Sequence, residues 1–425
     1  MKINKWTLGL AAIGLVSLAP GVRADGTNAP APIPLTTALS ATTISGYVDT
    51  SMVWNPGTGN ANTPPYAFAK GKADGFNLDS ADVKIARAPD ESQWAAGYTL
   101  ELQYGPDAIN PFGGPIRQAY VELRAPVGNG LDFQIGQWDN ILGFEVNDAY
   151  RNPNWTRSYG YSFEPQTHTG VLATYKFSDA ISAQVGVADT LTSAGNARLG
   201  TGTTDIYSYG GESKKAVVSL VTLTAPDSWG SLKNSTLSAG FDFGPSSGAT
   251  PDREHLFIMT QINTPVKDLT FGAAYDSIWH TDVAFPAGTV SVPTSAGGTV
   301  NVPTPAGSAN AGYFMALAGY VHYQLTDKAS INGRGEWAHG DALGIAADSL
   351  NGTGTPGVRG NPLNNVIALT GTFEYDLWAN VISRLEVRWD HAANGQKAFD
   401  GTVPGTGTAA KINDVLVAAN IIYKF

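Results

Sequence analysis

The connections between the strand-like segments of this chain alternate between tight and long. From Ile44 onward, about sixteen segments carry an apolar residue at every second position, which is the period of a β-strand with one apolar face. The long connections, such as Asn55–Asp74, Gly340–Asn361 and Ala392–Ala410, are rich in Gly, Pro, Asn, Thr and Ala. The tight connections between them are Ala88–Ser92, Pro126–Asn129, Ser178–Asp179, Pro226–Gly230, Asn263–Asp268, Thr326–Asp327 and Asp376–Leu377. Turns at one end and loops at the other are typical of an outer-membrane barrel, so we predict an all-β fold: one antiparallel up-and-down barrel of about sixteen strands over residues 44–425.

The first 24 residues have the layout of a secretory signal peptide. Lys2 and Lys5 make a positive start, Leu8–Leu18 is apolar, and Val22-Arg23-Ala24 has small residues at the −3 and −1 positions, so we expect cleavage after Ala24. The apolar stretch is too short to span a bilayer as a helix, which needs ~20 residues, and no later segment is long and apolar enough. A membrane location therefore requires a closed barrel, because backbone polar groups cannot stay unpaired in lipid.

The composition narrows the classes of partner. Cysteine is absent, which excludes disulfides and thiolate metal sites. Removal of Lys2, Lys5 and Arg23 with the signal takes the net charge from −10 to about −13, and this acidity argues against binding to nucleic acid. The Pro/Ala/Thr-rich stretch Asp25–Thr43 has no apolar period, and we expect a flexible periplasmic lead.

Charged residues on the strands occupy the face that alternates with the apolar one. We predict that this face lines a water-filled pore, where opposed fixed charges create a transverse field that sorts solutes. The alternative is that the side chains only pair with one another and hydrate a polar wall. The candidates are Glu101, Glu122, Arg124, Arg334, Glu336, Glu374, Arg384, Glu386 and Arg388.

The connection Asp139–Pro165 combines charges with many aromatic residues, and long loops of this kind usually fold against something. One interpretation is a loop tucked into the lumen, where it narrows the pore and contacts solute. The other is a folded extracellular loop that covers the rim. The candidate residues for a constriction are Glu145, Asp148, Arg151, Trp155 and Arg157.

The C-terminal segment has one apolar face that ends on an aromatic residue. Alternate positions from Val415 to Phe425 are apolar, with Tyr423 and Phe425 at the end. This pattern resembles the terminal signal that the barrel-assembly machinery reads in bacterial outer-membrane proteins. A buried last strand of a soluble protein could show the same alternation, but the terminal aromatic residue is more specific.

Several phrases in the chain resemble the OmpL-like β-barrel porin family of bacteria. They are Phe133–Trp138 (FQIGQW), Gly143–Glu145 (GFE), Asn154–Ser158 (NWTRS) and Pro165–Gly170 (PQTHTG), supported by Phe76–Leu78, Ala81, Arg334–Trp337 and Arg384–Arg388. The resemblance spans most of the chain after the signal. It implies an outer-membrane pore, and it inclines the connection Asp139–Pro165 toward the lumen. It does not identify the solute.

Signatures of catalysis are missing from the sequence. The six histidines are scattered singly without metal-ligand spacing, and no nucleophile elbow or calcium loop is present, so we expect no enzyme activity, cofactor or metal. The expected function is passive diffusion of small hydrophilic solutes or ions through the barrel, with membrane lipid around it and a homotrimer as one arrangement. Two alternatives stay open: a non-conducting barrel that carries its surface loops as an adhesin or receptor, and a soluble secreted β-protein. An enzyme site built across strands without a local motif is the remaining possibility.

Overall fold

The computed structural model describes residues 41–57, 63–64, 66–68, 71–90, 92, 94–109, 114–191, 215–245, 252–280, 283–285, 288–293, 299–304, 307–309, 312–340, 365–395, 397–400 and 410–425. Sixteen strands form one closed antiparallel barrel in which chain neighbours pair, and the last strand pairs with the first. The first eleven are β1 (Thr43–Trp54), β2 (Gly75–Arg87), β3 (Ala95–Tyr104), β4 (Ile116–Ala125), β5 (Leu131–Asp139), β6 (Thr167–Lys176), β7 (Ile181–Ala188), β8 (Ala216–Thr224), β9 (Thr236–Pro245), β10 (Asp252–Asn263) and β11 (Leu269–His280). The other five are β16 (Gly312–Gln324), β17 (Ala329–Gly340), β18 (Asn365–Trp378), β19 (Val381–Ala392) and β20 (Asn413–Lys424). The predicted fold class and strand number are confirmed.

The connection between β11 and β16 contains two short hairpins. Its strands are β12 (Val283–Phe285), β13 (Gly288–Pro293), β14 (Thr299–Thr304) and β15 (Gly307–Ala309), with β12 paired to β15 and β13 to β14. The alternating Val and Thr residues of β13 and β14 favour strands.

Alternation between the two faces of each strand separates lipid-facing from lumen-facing residues. On β18, Ile367, Leu369 and Phe373 point outward and are exposed, whereas Thr370 and Thr372 between them are buried inside the barrel. This is the pattern of a strand with one face toward hydrocarbon and one toward a polar interior. Among the described residues, no helix is long and apolar enough to cross a bilayer.

The barrel closes where the last residue meets the first strand. Gly46 and Phe425 exchange two backbone hydrogen bonds, with N···O distances of 3.1 and 3.0 Å. A Cβ atom at Gly46 would collide with the carbonyl of Asp82 and with the ring of Phe425, so glycine permits the close approach. Tyr423 lies on the outward face and is exposed.

The ends of the barrel differ as the sequence indicated. The connections predicted as tight lie at one end, here called the turn end, and the long connections lie at the other, the loop end. Two of the turn-end connections differ from the prediction. The connection between β8 and β9 covers residues 225–235 and contains a 3₁₀ segment (Asp227–Leu232), so it is longer than the predicted Pro226–Gly230. In addition, β18 runs to Trp378, and the chain reverses at residues 379–380, where Asn380 has a φ of 65°. A bulge between Asp376 and Trp378 keeps the pairing intact through the residues predicted as the turn.

The outward position of Val387, in the middle of β19, gives a test of the membrane orientation. We expect Val387→Arg to lower the free energy of unfolding in lipid vesicles by ~2–4 kcal/mol, since it places a cation at the bilayer midplane. Val381→Arg, at the turn end of β19, is the matched control and should cost ~0–1 kcal/mol. Urea titrations of the refolded protein measure both values. Equal costs at the two positions would contradict the assigned depth.

Candidate functional site

The connection between β5 and β6 crosses the inside of the barrel. This segment, residues 140–166, is called the lumen loop below. It contains a 3₁₀ turn (Ala149–Arg151) and the short helix α1 (Tyr159–Phe163). The Ser158 hydroxyl caps α1 by accepting a hydrogen bond from the backbone N–H of Tyr161 at 3.1 Å.

A buried arginine holds the two halves of the lumen loop together. The Arg157 guanidinium donates to the backbone carbonyls of Val146 (3.1 Å), Asn147 (2.9 Å) and Trp155 (2.8 Å). Its cation also lies over the ring of Tyr161, 5.6 Å from the centroid. The predicted constriction residue Arg157 therefore shapes the loop from within, and its side chain is buried away from solvent.

The tip of the lumen loop, residues 154–156, is held by one carboxylate on the far wall. Glu386 of β19 accepts hydrogen bonds from the backbone N–H groups of Trp155 (2.6 Å) and Thr156 (2.9 Å) and from the Thr156 hydroxyl (2.6 Å). The Thr372 hydroxyl donates to the same carboxylate at 2.7 Å. Because an ionised carboxylate with several donors makes strong hydrogen bonds, Glu386 fixes the position of the tip.

Arg334 of β17 connects the wall to the lumen loop, next to its tip. Its guanidinium lies 2.6 Å from a carboxylate oxygen of Glu145, in the loop, and 2.7 Å from Glu336, on its own strand. It also donates to the Thr156 carbonyl at 2.7 Å. The second oxygen of Glu336 accepts from the backbone N–H of Tyr159 at 2.7 Å. The charges of the wall and of the loop therefore neutralise one another in a network that is buried from solvent.

Arg388 is fully buried, as Glu386 is. It pairs with Asp390 at 3.0 Å, donates to the Arg157 carbonyl at 2.7 Å, and lies 3.5 Å from the ring centroid of Tyr66. The Tyr159 hydroxyl donates to Asp390 at 2.8 Å, and burial raises the pKa of this hydroxyl well above its usual range. Arg388 thus contacts the lumen loop and Tyr66.

Arg384 and Glu374 attach the 3₁₀ turn of the loop. They pair at 2.9 Å, and Arg384 donates to the carbonyls of Ala149 (3.0 Å) and Asn152 (2.8 Å). Tyr150 packs edge-on against Tyr47 of β1 at 5.3 Å, and burial raises the pKa of Tyr150 to about 12.

The opposite wall holds the first half of the loop through an arginine that the sequence analysis did not single out. Arg117 of β4 pairs with Glu101, with Asp139 at 2.6 Å and with Asp148 at 2.9 Å. A register shift between β3 and β4 at Glu101 displaces the simple alternation here and brings Arg117 into the lumen. Asp148 also pairs with Arg151 at 3.5 Å. Strands β3 and β4 therefore anchor the loop as firmly as β17 to β19 do.

Two of the predicted pore-lining residues lie apart from the loop. Arg124 makes two hydrogen bonds to Asp132 of β5, at 2.7 and 2.8 Å, near the turn end. Glu122 lies on the same strand, in line with Arg124. The other seven candidates on the wall contact the loop or a direct partner of it. Of the loop candidates, Glu145, Asp148 and Trp155 contact wall residues directly, whereas Arg151 and Arg157 bond other residues of the loop. Their role in selectivity stays a prediction.

Apolar side chains pack around the loop on its loop-end side. Trp155, Tyr159 and Phe163 join Tyr66 and Phe399 from two other connections, and Phe163 stacks on Phe314 of β16 at 3.5 Å. The wall contributes inward-facing apolar residues near the loop end of its strands: Val53, Ile278, Ala338, Val366, Ala392 and Leu416. This part of the interior is a packed core.

Two further charged clusters were not predicted. His255 of β10 lies between Asp242 (3.2 Å) and Asp276 (2.9 Å), and the neighbouring Arg253 donates to the Phe163 carbonyl of the loop. Burial raises the pKa of Glu164 well above its usual range, and the carboxylates of Asp276 and Glu145 raise it further. A lone histidine and scattered acids gave no sequence signal, because their proximity depends on strand register.

The second cluster joins β2 to the connection after β3. Lys72 lies 2.7 Å from Asp79 and 2.6 Å from Asp107, and burial raises the pKa of Asp107 to about 7 against the opposing effect of Lys72. Asp49 of β1 completes a group of three carboxylates whose oxygens lie within 4.8 Å of one another. The ammonium of Lys72 already supplies a cation to this group.

A cavity opens between the lumen loop and the turn end. Its volume is about 230 Å³, and it is open to solvent. Its ceiling is the first half of the loop, including Asn140, Phe144, Asp148 and Arg151. Its walls come from β2, β4 to β7, β9, β10 and β16 to β20. The barrel therefore contains a vestibule on the turn side whose depth is limited by the loop.

The sequence of residues 41–425 matches the beta-barrel porin-2, OmpL-like family. This chain belongs to that family. Family and fold together identify an outer-membrane porin, a barrel that serves as a passive channel. No curated protein sequence matches the chain.

Solved porins share the fold at low sequence identity. The anion-selective porin from Comamonas acidovorans has a TM-score of 0.54 and 11% identity, over 90% of this chain and 99% of that one. Salmonella typhi OmpF, in complex with daunomycin, has a TM-score of 0.52 and 11% identity, over 90% and 97%. Outer-membrane expressed OmpT of Vibrio cholerae has a TM-score of 0.51 and 12% identity, over 90% and 97%. The likeness concerns the architecture of the barrel.

The contacts of Glu386 predict that its carboxylate limits opening of the loop tip. Glu386→Ala leaves several buried donors without an acceptor, at about 1–3 kcal/mol for each unsatisfied group, so we expect chymotrypsin to cut near Trp155 and Tyr159 at least about tenfold faster. The matched control is Glu122→Ala, on the same inner surface but away from the loop. Cleavage at wild-type rate in Glu386→Ala would show that other contacts suffice.

The raised pKa of Glu164 predicts a pH dependence of the loop. The folded loop holds this carboxyl protonated, whereas an opened loop ionises it above its ordinary pKa of 4.5. The contribution of Glu164 to the stability of the folded loop is therefore complete below pH 4.5. This contribution is lost as the pH rises toward the pKa that Glu164 has in the folded loop. We expect hydrogen exchange of residues 158–164, corrected for intrinsic rates, to be faster at pH 8 than at pH 5.

Glu164→Gln separates this effect from its neighbours. The variant keeps Asp242, His255, Asp276 and Arg253, so any titration of these groups remains in both proteins. We expect the variant to lose most of the difference between pH 5 and pH 8. An unchanged difference would assign the dependence to the strand residues.

Proposed function

We propose that the lumen loop sets the size limit for small hydrophilic solutes that diffuse through this porin. The observation that carries the proposal is the attachment of the loop to both walls, by Arg117 on one side and by Arg334 and Glu386 on the other. A loop held by charges at both sides keeps a fixed position against thermal motion. The vestibule leads from the turn end to this loop. For this function, solutes must pass beside the loop.

The charges along this route suggest weak ion selectivity. Most of the charged residues predicted to line the pore lie in close ion pairs, among them Arg334 with Glu145 and Arg384 with Glu374. Paired charges produce a smaller field in the water beside them than isolated ones do. We therefore expect the transverse field to be weak, since Lys84 and Arg151, which face the vestibule, also lie near carboxylates, 3.6 Å from Glu101 and 3.5 Å from Asp148.

A second candidate function is a non-conducting barrel that carries surface loops for adhesion or recognition. One observation favours it: Tyr66 and Phe399 pack with Trp155 and Phe163 into an apolar core inside the loop-end half. Such a core excludes water from that sector of the lumen. The two functions differ in a single measurable property, conduction by the folded barrel.

Export and assembly of the barrel involve the two ends of the chain. The signal peptide 1–24, with cleavage after Ala24, and most of the lead 25–43 lie outside the described residues and stay predictions. We propose that the assembly machinery reads Tyr423 and Phe425 before β20 closes the barrel on β1. Diffusion through the pore needs no catalytic residue, cofactor, metal or nucleic acid, and a homotrimer in outer-membrane lipid is the expected assembly.

Single-channel recording tests the proposal. Protein with the mobility shift of a folded barrel on unheated gels should give discrete conductance steps in a planar bilayer. A folded barrel that never conducts would move the function to its surface loops.

The absence of cysteine allows a sharper form of the same experiment. The Asn154 side chain donates to the Thr372 hydroxyl at 2.7 Å, so a short bifunctional thiol cross-linker can tether the loop tip to the wall in the pair Asn154→Cys and Thr372→Cys. If solutes pass beside a fixed loop, cross-linking should change conductance by less than about twofold, with the untreated variant as control. Loss of current on cross-linking would mean that the loop must move.

A further inference from the structure

One arc of the vestibule is lined by side chains that form hydrogen bonds but carry no fixed charge. The arc runs along the inner wall from Gln134 on β5 to Asn332 on β17, below the lumen loop, and Asp139 at the loop end of β5 is not part of it. Among its cavity-lining residues on β6 to β17, in the part of the chain that the structure describes, none is Asp, Glu, Lys or Arg. The polar members of the arc are Gln134, Gln184, Thr236, Gln261, His322 and Asn332.

The charged residues of the vestibule lie outside this arc and balance one another. They are three cations, Lys84, Arg151 and Lys424, and three anions, Asp139, Asp148 and Glu374. Each anion has an arginine partner: Arg117 lies 2.6 Å from Asp139 and 2.9 Å from Asp148, and Arg384 lies 2.9 Å from Glu374. A charged solute entering the vestibule loses water and finds no unpaired counter-charge on the arc, which is unfavourable.

An uncharged polyol can replace its lost hydrogen bonds to water with hydrogen bonds to the arc. Amide and hydroxyl side chains both donate and accept, as sugar hydroxyls do, so they can replace the hydrogen bonds to water that the solute gives up. The amide of Gln184, for example, donates to Thr174 at 3.1 Å and still has a second N–H donor and a carbonyl acceptor. Phe144, Leu172 and Met259 add apolar surface that suits the C–H faces of a sugar ring.

We propose that the turn-side vestibule binds neutral sugars and that this porin favours them over charged solutes of the same size. The inference rests on the proposed diffusion function and names its solute class. The arc supplies the hydrogen bonds, and the ceiling of the lumen loop supplies the ring contact through Phe144. On the remaining wall three cations accompany three anions, and this balance of charge disfavours both acids and amines.

Glucose, gluconate and glucosamine provide a series with one carbon skeleton and three charge states. We expect glucose to reduce the ion current through the reconstituted channel in a saturable way, and the two charged analogues to need about tenfold higher concentration. Swelling rates of vesicles that contain the protein should follow the same order. Equal block by all three solutes, or stronger block by a charged one, would overturn the assignment.

Variants on the arc locate the binding site. Gln184→Leu together with Gln261→Leu removes two hydrogen-bonding side chains with little change in volume, and we expect the glucose concentration for half block to rise about threefold to tenfold or more. Gln324→Leu is the matched control, since Gln324 bonds the next turn and does not line the cavity. An unchanged half-block concentration in the double variant, with wild-type conductance, would sink the inference.

Failure of the inference is distinguishable from failure of the proposed function. If the folded barrel conducts without any preference among the three solutes, the diffusion function stands and the sugar site is excluded. If the barrel never conducts, titration calorimetry of the detergent-solubilised protein with the same three solutes decides the binding site separately. Heat of binding for glucose alone supports the site, and equal or absent heats for all three overturn it.

Discussion

Closure of the sheet is the constraint on which the rest of the molecule depends. In hydrocarbon every backbone N–H and C=O must find a partner within the protein, so a sheet that leaves an edge open is excluded. The pairing of Gly46 with Phe425 removes that edge. Once sixteen strands close, the interior is too wide for the side chains of the wall to fill, and a polar inner surface follows. What occupies that interior then decides whether the barrel conducts.

Here a large part of the interior is occupied by the chain itself, and charge fixes it there. Burying a carboxylate such as Glu386 or a guanidinium such as Arg334 is costly unless every charge is paired and every lone pair has a donor. The lumen loop meets this requirement with backbone N–H groups and carbonyls that its short helix and turn leave free. Because each partner would be left unsatisfied if the loop moved, the network holds one position of the loop rather than many.

The sequence predicted the wall well and the contents of the lumen poorly. Period-2 alternation depends on local chemistry, so strands, turns and the inward position of residues such as Arg334 and Glu386 could be deduced from single segments. The partner of Glu386 is Trp155, more than two hundred residues away, and an inward carboxylate has the same sequence signature whether it faces water or a loop. Arg117 was missed for a related reason, since the register shift at Glu101 breaks the alternation that identified the others.

The sequence nevertheless contained a signal for the packed core near the loop end of the barrel. The run Val366-Ile367-Ala368-Leu369 is apolar on both faces, and Leu416 on β20 is a large apolar residue at an inward position. A wall that meets water on one side has no reason to carry apolar residues there, so such positions indicate inner partners. Toward the turn end the inward positions of β18 become polar, at Thr370, Thr372 and Glu374. The change from apolar to polar along this strand therefore marks the passage from the packed core at the loop end to the side of the vestibule, with the lumen loop at the boundary.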